Sequence, residues 1–316
     1  MAPADNGVTR LFGENRFTTA IKVADEMKAV LGVEKFDAII IASGTNFADA
    51  LSGSYLAARM NAPILLGFNE TYDRLAADYI KANLAENGTV YILGGNAAVS
   101  GTMEEKLAGL NVKRLAGANR FETNILILKE AGVDPKQPLL VCTGTNFADC
   151  LSASATGAPI LLVWNESGKL MDCQKEFLAV NYTGTDSTFR FIGGYSAVSF
   201  SMEKLFRGYG ATDRISGDNR FETSAKLAEA YFASNAQEAV LAYAWNYPDG
   251  LCGGPLAYAM QAPLILTMTG YEDAAIGYTS ENVIEGGVVL GGDKLISDAS
   301  IRAIFALDAQ VAITVK

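Results

Sequence analysis

Short apolar runs alternate with amphipathic segments along the chain, and the first third gives the pattern most clearly. Apolar residues recur on one face between Asn15 and Leu31, and this spacing predicts a helix. The run FDAIIIAS at 36–43 predicts the first strand after it. The further predicted elements are a helix from Asn46 to Met60, a strand at 62–68, a helix at 71–86, a strand at 89–95, a helix from Ser100 to Gly109 and a strand at 112–117.

The predicted strands are continuous apolar runs, not runs that alternate apolar with polar residues. Such runs are typical of parallel sheets that are covered by helices on both faces. Strands that alternate with helices indicate βαβ units with right-handed crossovers. The pattern therefore predicts an α/β protein built from Rossmann-like or flavodoxin-like layers.

Four sequence blocks recur three times in the same order, which indicates a triplicated architecture. The first block reads RLFGENRF at 10–17, RLAGANRF at 114–121 and RISGDNRF at 214–221. The second reads SGTNFADALS at 43–52, TGTNFADCLS at 143–152 and AWNYPDGLCG at 244–253. The third is APILL, APILL and APLIL at 62–66, 158–162 and 262–266, and the fourth is YILGGNAAVS, FIGGYSAVS and VLGGDKLIS at 91–100, 191–199 and 289–297.

The repeats predict three modules, at 1–111, 112–211 and 212–316. No Pro- or Ser-rich linker separates them, so we expect an interlocked arrangement and not a string of independent beads. The final segment VAITVK at 311–316 stands where a copy ends, so we expect no residues to be left over for a separate catalytic domain.

Composition and charge limit the partners. Half of the 316 residues are hydrophobic, yet no apolar run reaches the about 18–20 residues that a membrane span needs. The first residues lack the charged and apolar regions of a signal peptide, which a trimmed start would also explain. A net charge of −10 argues against binding to nucleic acid. No GxGxxG or GxxxxGK[ST] motif supports nucleotide binding.

The chain contains no histidine, which removes Ser-His and Cys-His catalysis and the commonest metal ligand. Its four cysteines, Cys142, Cys150, Cys173 and Cys252, form no CxxC pair and no zinc spacing. We therefore expect ordinary buried thiols, no metal and no cofactor.

Recurrent asparagines and acids have a local explanation. Asn15, Asn119 and Asn219 precede a predicted helix, and Glu122 and Glu222 follow two of them at the spacing of a capping box. Asn46, Asn146 and Asn246 stand likewise three residues before Asp49, Asp149 and Asp249. Helix capping is the first interpretation of all of them.

The arginines have no such local explanation. The first block begins with Arg10, Arg114 or Arg214 and ends just before its phenylalanine with Arg16, Arg120 or Arg220. A cation in the first helical turn opposes the helix dipole, so an acidic group must compensate it. Two alternatives stay open: a pair with Asp49, Asp149 or Asp249, even across an interface between copies, or an anionic ligand.

The third and fourth blocks favour structural roles. APILL has the chemistry of a buried strand, with its proline at the first position, where no ladder donor is needed. The glycine pairs at the end of the next strand permit positive φ or close approach of another group. Ser100, Ser199 and Ser297 follow as expected helix N-caps, because no base is present to activate them as nucleophiles.

Together the four blocks resemble the type 2 cell-wall-binding repeats of clostridial surface proteins and autolysin modifier proteins, over essentially the whole chain. The resemblance implies three Rossmann-like modules around a pseudo-threefold axis. It also implies a secreted protein at the surface of a Gram-positive bacterium, attached without covalent bonds to an anionic wall polysaccharide or teichoic-acid-like polymer. Surface-layer proteins are further candidate partners. The third copy departs from the pattern at Ala244, Trp245 and Pro248.

The resemblance also implies which residues contact the polymer. They are the PILL segments and charged residues near the module interfaces. Carried onto this chain, these are Ile64, Leu65, Leu66, Ile160, Leu161, Leu162, Leu264, Ile265, Leu266, Arg16, Arg120, Arg220, Asp49, Asp149 and Asp249.

The leading functional hypothesis is a non-catalytic wall anchor, in which repeated weak sites give avidity for a repeating polymer. Because the net charge is acidic, this hypothesis requires the arginines to converge into locally positive grooves. Alternatives are an architectural protein that self-assembles into a surface lattice and a nucleotide-binding module. A peptidoglycan amidase is disfavoured, since its zinc would ordinarily need histidine.

Overall fold

The computed structural model describes residues 7–233 and 235–316, in which parallel sheets alternate with helices. The strands are β1 Val8–Leu11, β2 Phe36–Ser43, β3 Ile64–Gly67, β4 Leu84–Leu93, β5 Asn111–Leu115, β6 Leu139–Thr143, β7 Ile160–Val163, β8 Thr188–Ile192, β9 Ala211–Ile215, β10 Ala239–Tyr243, β11 Leu264–Thr267, β12 Gly287–Leu290 and β13 Ile313–Val315. The helices are α1 Arg16–Leu31, α2 Ala48–Met60, α3 Glu70–Asn83, α4 Thr102–Lys106, α5 Arg120–Ala131, α6 Ala148–Ala153, α7 Asp172–Tyr182, α8 Phe200–Phe206, α9 Arg220–Phe232, α10 Gly253–Ala259, α11 Asp273–Glu281 and α12 Asp298–Ile304.

The strands form three sheets, one for each copy of the repeat. The described strands are ordered β3-β2-β4-β5 in the first sheet, β7-β6-β8-β9 in the second and β11-β10-β12-β1-β13 in the third. Every pair of neighbouring strands in these sheets runs parallel. The predicted α/β class and the three parallel-sheet modules are confirmed.

The strand that opens each repeat belongs to the sheet of the copy before it. β5 pairs with β4, and β9 pairs with β8. β1, at the beginning of the described chain, pairs with β12 of the third copy and so closes the set into a ring. β13 then lies outside β1 as the edge strand. The module boundaries at 111/112 and 211/212 stay a prediction, and the sheets themselves group β5 and β9 with the strands that precede them.

Contacts between copies follow the same cyclic order. Helix α2 packs on α5, α6 packs on α9, and α10 packs on α1. Phe47, Phe147 and Tyr247, one from each copy, meet at the centre with ring centroids 5.5–6.2 Å apart. The Tyr247 hydroxyl also donates a hydrogen bond to the Thr45 carbonyl, with an O···O distance of 2.7 Å. This triangle of aromatic rings marks the predicted pseudo-threefold axis.

Several helices are shorter than the apolar pattern predicts. α2 begins at Ala48 and not at Asn46, and α4 covers only Thr102–Lys106 within the predicted segment 100–109. In the third copy, Pro248 lies before Asp249 and α10 begins only at Gly253. Proline lacks a backbone donor, and the adjacent glycines weaken a helix, so the start of this helix is displaced.

The four cysteines are free thiols, and all but the half-buried Cys173 are buried. Among the described residues, no helix is long and apolar enough to cross a membrane.

Candidate functional site at the module seams

Capped helix termini place the second arginine of each repeat. The side chains of Asn15, Asn119 and Asn219 each accept hydrogen bonds from the first backbone amides of the following helix. They are the predicted N-caps, and they fix Arg16, Arg120 and Arg220 as the first residues of α1, α5 and α9. Each arginine therefore projects from a helix N-terminus at a seam between two copies.

Each of these guanidinium groups makes one hydrogen bond within the described residues. Nη1 of Arg16 donates to the carbonyl of Gly44, that of Arg120 to Gly144 and that of Arg220 to Ala244, at 2.6–2.7 Å. A guanidinium carries five N–H donors. All three side chains are half-buried, so most of their donors remain available to a ligand.

An aspartate of the preceding copy faces each arginine across the seam. Arg120 faces Asp49, Arg220 faces Asp149 and Arg16 faces Asp249. Burial raises the pKa of each aspartate, and the charge of the facing arginine offsets part of that rise. None of the ion pairs in the described residues includes these arginines. The arginines and aspartates that the sequence suggested as partners across copies therefore do face each other, but they do not form direct ion pairs.

The aspartates are held in an environment that opposes their charge. Burial raises the pKa of Asp49 and Asp249, and raises that of Asp149 to about 6 in spite of Arg220 and Arg214. Desolvation disfavours the ionised form of a carboxyl group, and the arginines only partly offset it. Such perturbed carboxyls beside a cleft are typical of functional sites.

The glycine pair of the fourth block fits against each aspartate. Gly94, Gly193 and Gly291 have φ between +91° and +94°, and a Cβ at any of them would collide with the carboxylate of Asp49, Asp149 or Asp249. Glycine is therefore required at this position for its backbone conformation and for the close approach of the carboxylate.

The first arginine of each repeat has a different role. Arg114 donates all five N–H groups, to the carbonyls of Gly94, Val99 and Ser100 and to the Glu104 carboxylate. Arg214 and the buried Arg10 bind the equivalent carbonyls, together with Glu203 and Asp298 respectively. These arginines hold the glycine turn and the following helix together, and they do not face the cleft.

Clefts open beside two of the three second arginines, Arg220 and Arg16. The Arg220 cleft, between the second and third copies, has a volume of 380 Å³ and is lined by Thr143, Thr145, Asn146, Ala148, Asp149, Glu166, Gly194, Ser196, Ala197, Gly217, Asp218, Asn219, Arg220 and Thr223. The Arg16 cleft, between the third and first copies, has a volume of 430 Å³ and is lined by Phe12, Gly13, Glu14, Asn15, Arg16, Pro248, Asp249, Gly292, Asp293, Lys294 and Leu295. The two clefts are equivalent under the pseudo-threefold relation.

The expectation of locally positive grooves is wrong for these two clefts. In the Arg220 cleft three carboxylates, of Asp149, Glu166 and Asp218, surround a single guanidinium. The Arg16 cleft likewise sets three carboxylates against Arg16 and Lys294. Each cleft is thus a hydrogen-bonding surface with more acidic than basic side chains, because each seam brings acids of two copies around the arginine.

The nine aliphatic residues of the third block lie in the sheets. Ile64, Leu65, Leu66, Ile160, Leu161, Leu162, Leu264, Ile265 and Leu266 are at most 2% exposed. Their side chains contact the core, as the alternative interpretation of APILL predicts, and not the solvent. The contribution of these segments to polymer binding stays a prediction. Because their side chains are buried, any such contribution would be indirect, through the residues that these strands hold in place.

Sequence reasoning missed the aromatic residues at the seams. The guanidinium of Arg120 lies over the Phe47 ring at 5.3 Å, and that of Arg220 lies over Phe147 at 5.5 Å and over Trp245 at 4.4 Å. The aromatic residue two positions before the aspartate in each second block was a visible signal. Its partner was not, because the contact joins different copies.

Comparisons with known proteins agree with the triplicated fold. The family model described as "Cell wall binding domain 2 (CWB2)" matches residues 10–104, 114–203 and 214–301. In solved structures, Cwp8 from Clostridium difficile is similar with a TM-score of 0.81 and 28% identity, over 96% of this chain and 52% of that chain. Cwp6 from the same organism is similar in fold, with a TM-score of 0.77 and 22% identity, over 94% of this chain and 48% of that chain.

Two curated relatives come from Bacillus subtilis (strain 168). N-acetylmuramoyl-L-alanine amidase LytC is 30% identical over 308 residues, which are 95% of this chain and 56% of that enzyme. Amidase enhancer is 28% identical over 299 residues, which are 93% of this chain and 39% of that protein. The chain therefore spans about half the length of the relatives that it matches.

Proposed function

Because the chain belongs to the cell wall binding domain 2 family, we propose that it is a non-catalytic wall anchor that binds an anionic secondary wall polymer at its three seams. The residues proposed to carry the binding are Arg16, Arg120 and Arg220, each with the aspartate that faces it. The protein would then act outside the cell, at the wall of a Gram-positive bacterium.

This proposal is supported by one observation: at every seam, an arginine makes only one hydrogen bond to the described part of the protein. Each of the three arginines spends a single N–H on the protein and is half-buried. Arginine binds phosphate and carboxylate groups in a bidentate manner, which needs two free donors. Three such points on one ring of copies suit a polymer whose charged groups repeat, because linked weak sites reinforce each other.

The carboxylates around Arg16 and Arg220 favour a hydroxyl-rich polymer over a simple polyanion. Asp149, Glu166 and Asp218 would repel a dense row of negative charges beside Arg220. The same carboxylates can accept hydrogen bonds from sugar hydroxyls. The cleft therefore suits a glycan in which one charged group per repeat is flanked by neutral sugars.

The proposed lack of catalysis rests on the chemistry of this chain. With no histidine in the sequence, neither a Ser-His arrangement nor a histidine-held zinc can form. The serines of the fourth block have structural partners: Ser199 and Ser297 cap α8 and α12, and Ser100 accepts a hydrogen bond from the Thr102 amide. The amidase relative extends well beyond the part that this chain matches.

Co-sedimentation with purified wall tests the proposal. We expect the protein to be retained on intact wall and released when the secondary polymer is chemically stripped. Retention on intact wall should weaken with added salt, because the arginine–anion contact is screened. Equal retention on stripped wall would refute polymer binding, and release of soluble wall fragments by the protein would refute the non-catalytic role.

A further inference from the structure

Each copy presents an exposed aromatic ring stacked on the buried phenylalanine that follows the seam arginine. Phe68 lies parallel to Phe17, Trp164 to Phe121 and Tyr271 to Phe221, with interplanar angles of 11–12°. The buried phenylalanines are 6–7% exposed. The outer rings are 55%, 45% and 54% exposed, respectively. The inner ring thus holds the outer ring by offset stacking, with much of the outer ring left in solvent.

The exposed rings follow the strands of the third block. β3, β7 and β11 end at Gly67, Val163 and Thr267, and Phe68 and Trp164 come directly after the first two. In the third copy Tyr271 supplies the ring from farther along the loop. An exposed ring near the end of this strand thus recurs in three different residue types, and in the first copy Phe17 also stacks on Tyr72, with ring centroids 3.9 Å apart.

Polar groups surround these rings. Tyr271 lines a cavity of 500 Å³ together with Asn219, Glu222 and Asp273. On the second copy Glu166, two residues after Trp164, accepts a hydrogen bond from the Thr145 hydroxyl. A single aromatic face among carboxylates and amides is not the large contiguous apolar patch that marks a protein–protein contact. It matches a sugar ring, whose C–H face is apolar and whose rim bears hydroxyls.

The platforms are continuous with the seam site. Asn219 lines both the Arg220 cleft and the Tyr271 cavity, so the two share a wall. On the opposite side, Glu166 belongs to the lining of the Arg220 cleft and lies two residues from Trp164. Asn219 thus connects the Arg220 cleft to the Tyr271 ring, and Glu166 connects the same cleft to the segment that carries Trp164.

We infer that Phe68, Trp164 and Tyr271 are stacking platforms for neutral pyranose units of the polymer. This inference rests on the proposed function and assigns different parts of the polymer to the arginine and to the aromatic ring. The arginine takes the charged group, and the aromatic ring takes the apolar face of a neighbouring sugar. The acidic surroundings of Trp164 and Tyr271 exclude the charged group from the platform itself.

Binding of the purified polymer to Trp164→Ala, Tyr271→Ala and the double variant tests this inference. We expect each single variant to weaken binding about tenfold, as removal of an aromatic anchor from an interface typically does. Trp164→Phe should restore most of the loss, because it keeps the flat face. Phe200→Ala, which removes a 43% exposed ring on α8, is the matched control and should bind as the wild type does.

Tryptophan fluorescence adds a reading specific to stacking. The chain has two tryptophans, so Trp245→Phe leaves Trp164 as the sole reporter, compared with its own ligand-free baseline. Polymer from which the charged groups have been chemically removed should still protect Trp164 from acrylamide quenching. An arginine contact alone would give no protection with this neutral polymer.

The outcomes separate the two proposals. Wild-type affinity of the double variant, together with no protection of Trp164 in the Trp245→Phe variant, would refute the stacking platforms. Retention of the wild type on intact wall would still support the wall anchor. Failure of the wild type to bind either the wall or the polymer would overturn both. A change in sedimentation of the polymer-free protein on Trp164→Ala, without a change in polymer affinity, would assign the ring to a second copy of the chain and refute the sugar platform.

Discussion

At the residue scale, two arginines of one short block have different roles because of the number of partners that each finds. Arg114 uses its five donors on the protein, and Arg120, six residues later, uses one. The sequence could not distinguish the roles of the two arginines, since either could have paired with an aspartate of the protein or with an anionic ligand. The distinction depends on carbonyls brought in by the glycine turn, which no local pattern shows.

Arg114→Gln and Arg120→Gln form a matched test of that distinction. Arg114→Gln should lower the free energy of unfolding by about 2–4 kcal/mol, because it leaves carbonyls and the Glu104 carboxylate without their donor. Arg120→Gln should lower it by a smaller amount, about 1 kcal/mol, because it loses one hydrogen bond and the contact with the Phe47 ring. Urea unfolding measures the free energy of unfolding of both variants. Wall co-sedimentation measures whether Arg120 contributes to polymer binding. Equal destabilisation by both variants, with unchanged wall retention, would contradict the assignment.

Asp149 gives a prediction for the pH dependence of stability. Its folded-state pKa, about 6, lies above the ordinary value of 3.8, so between these values the folded state binds more protons than the unfolded state. The stability of the wild type should therefore fall as pH rises from 4 to 6. A neutral Asp149→Asn side chain lacks this dependence, and at pH 7.5 the variant should be more stable by about 1–3 kcal/mol.

The measurement is the difference between the unfolding free energies of the wild type and Asp149→Asn across pH 4–8. Taking the difference cancels the other titrating groups. A difference that stays flat over this range would show that the carboxyl is not perturbed by burial. Reduced polymer binding by the more stable variant would indicate that the charge is retained for function at the expense of stability.

At the element scale, the pattern predicted strand and helix types well and their limits less well. α1 begins within one residue of the predicted helix and ends at Leu31, because Asn15 caps its start and Gly32 adopts a left-handed conformation at its end. α4 is shorter than predicted, since nothing in the apolar spacing shows where the chain turns into β5. The third copy's delayed α10 reflects Pro248 and its glycines, which the sequence displayed as a departure.

Strand β1 is the element whose position the sequence did not predict. Its residues resemble those of β5 and β9, which pair with β4 and β8. To take the equivalent position, β1 must pair with β12, about 280 residues away, and Arg10 does lie opposite Val289. Pairing over such a separation leaves no periodic signal along the chain. It follows only from the cyclic arrangement of the copies.

Removal of residues 1–12 should therefore disrupt the third sheet more than the position of β1 in the chain suggests. The deletion exposes the edge of β12, removes the support of β13 and breaks the three hydrogen bonds of buried Arg10. We expect a loss of several kcal/mol and an unfolding transition that is no longer single. Removal of 313–316, the exposed edge strand, is the control and should have a small effect. Similar, small effects of both deletions on thermal unfolding would contradict the ring.

At the scale of the whole molecule, the ring turns three local patterns into three seam sites. Arg120 faces Asp49, Arg220 faces Asp149, and only closure of the ring brings Arg16 to Asp249. The three modules and their axis could be predicted from the repeats and the family resemblance. The acidic character of the clefts could not, because Glu166 and Asp218 come from different copies.

The number of intact seams should control the strength of wall attachment. If the sites act together on one polymer chain, each lost arginine weakens binding by a similar factor, and the losses multiply. This behaviour distinguishes three linked sites from a single dominant seam. It also tests whether the third copy, with its Ala244 and Trp245, contributes as the others do.

Calorimetric titration of purified secondary wall polymer into the wild type and the Arg16→Gln, Arg120→Gln and Arg220→Gln variants, singly and combined, tests the central claim most directly. Each single variant should lose about tenfold in affinity, the loss expected for a charge-assisted contact. The triple variant, still folded by circular dichroism, should show no measurable heat of binding. A folded triple variant that binds the polymer with wild-type affinity would show that the seam arginines are not the binding site.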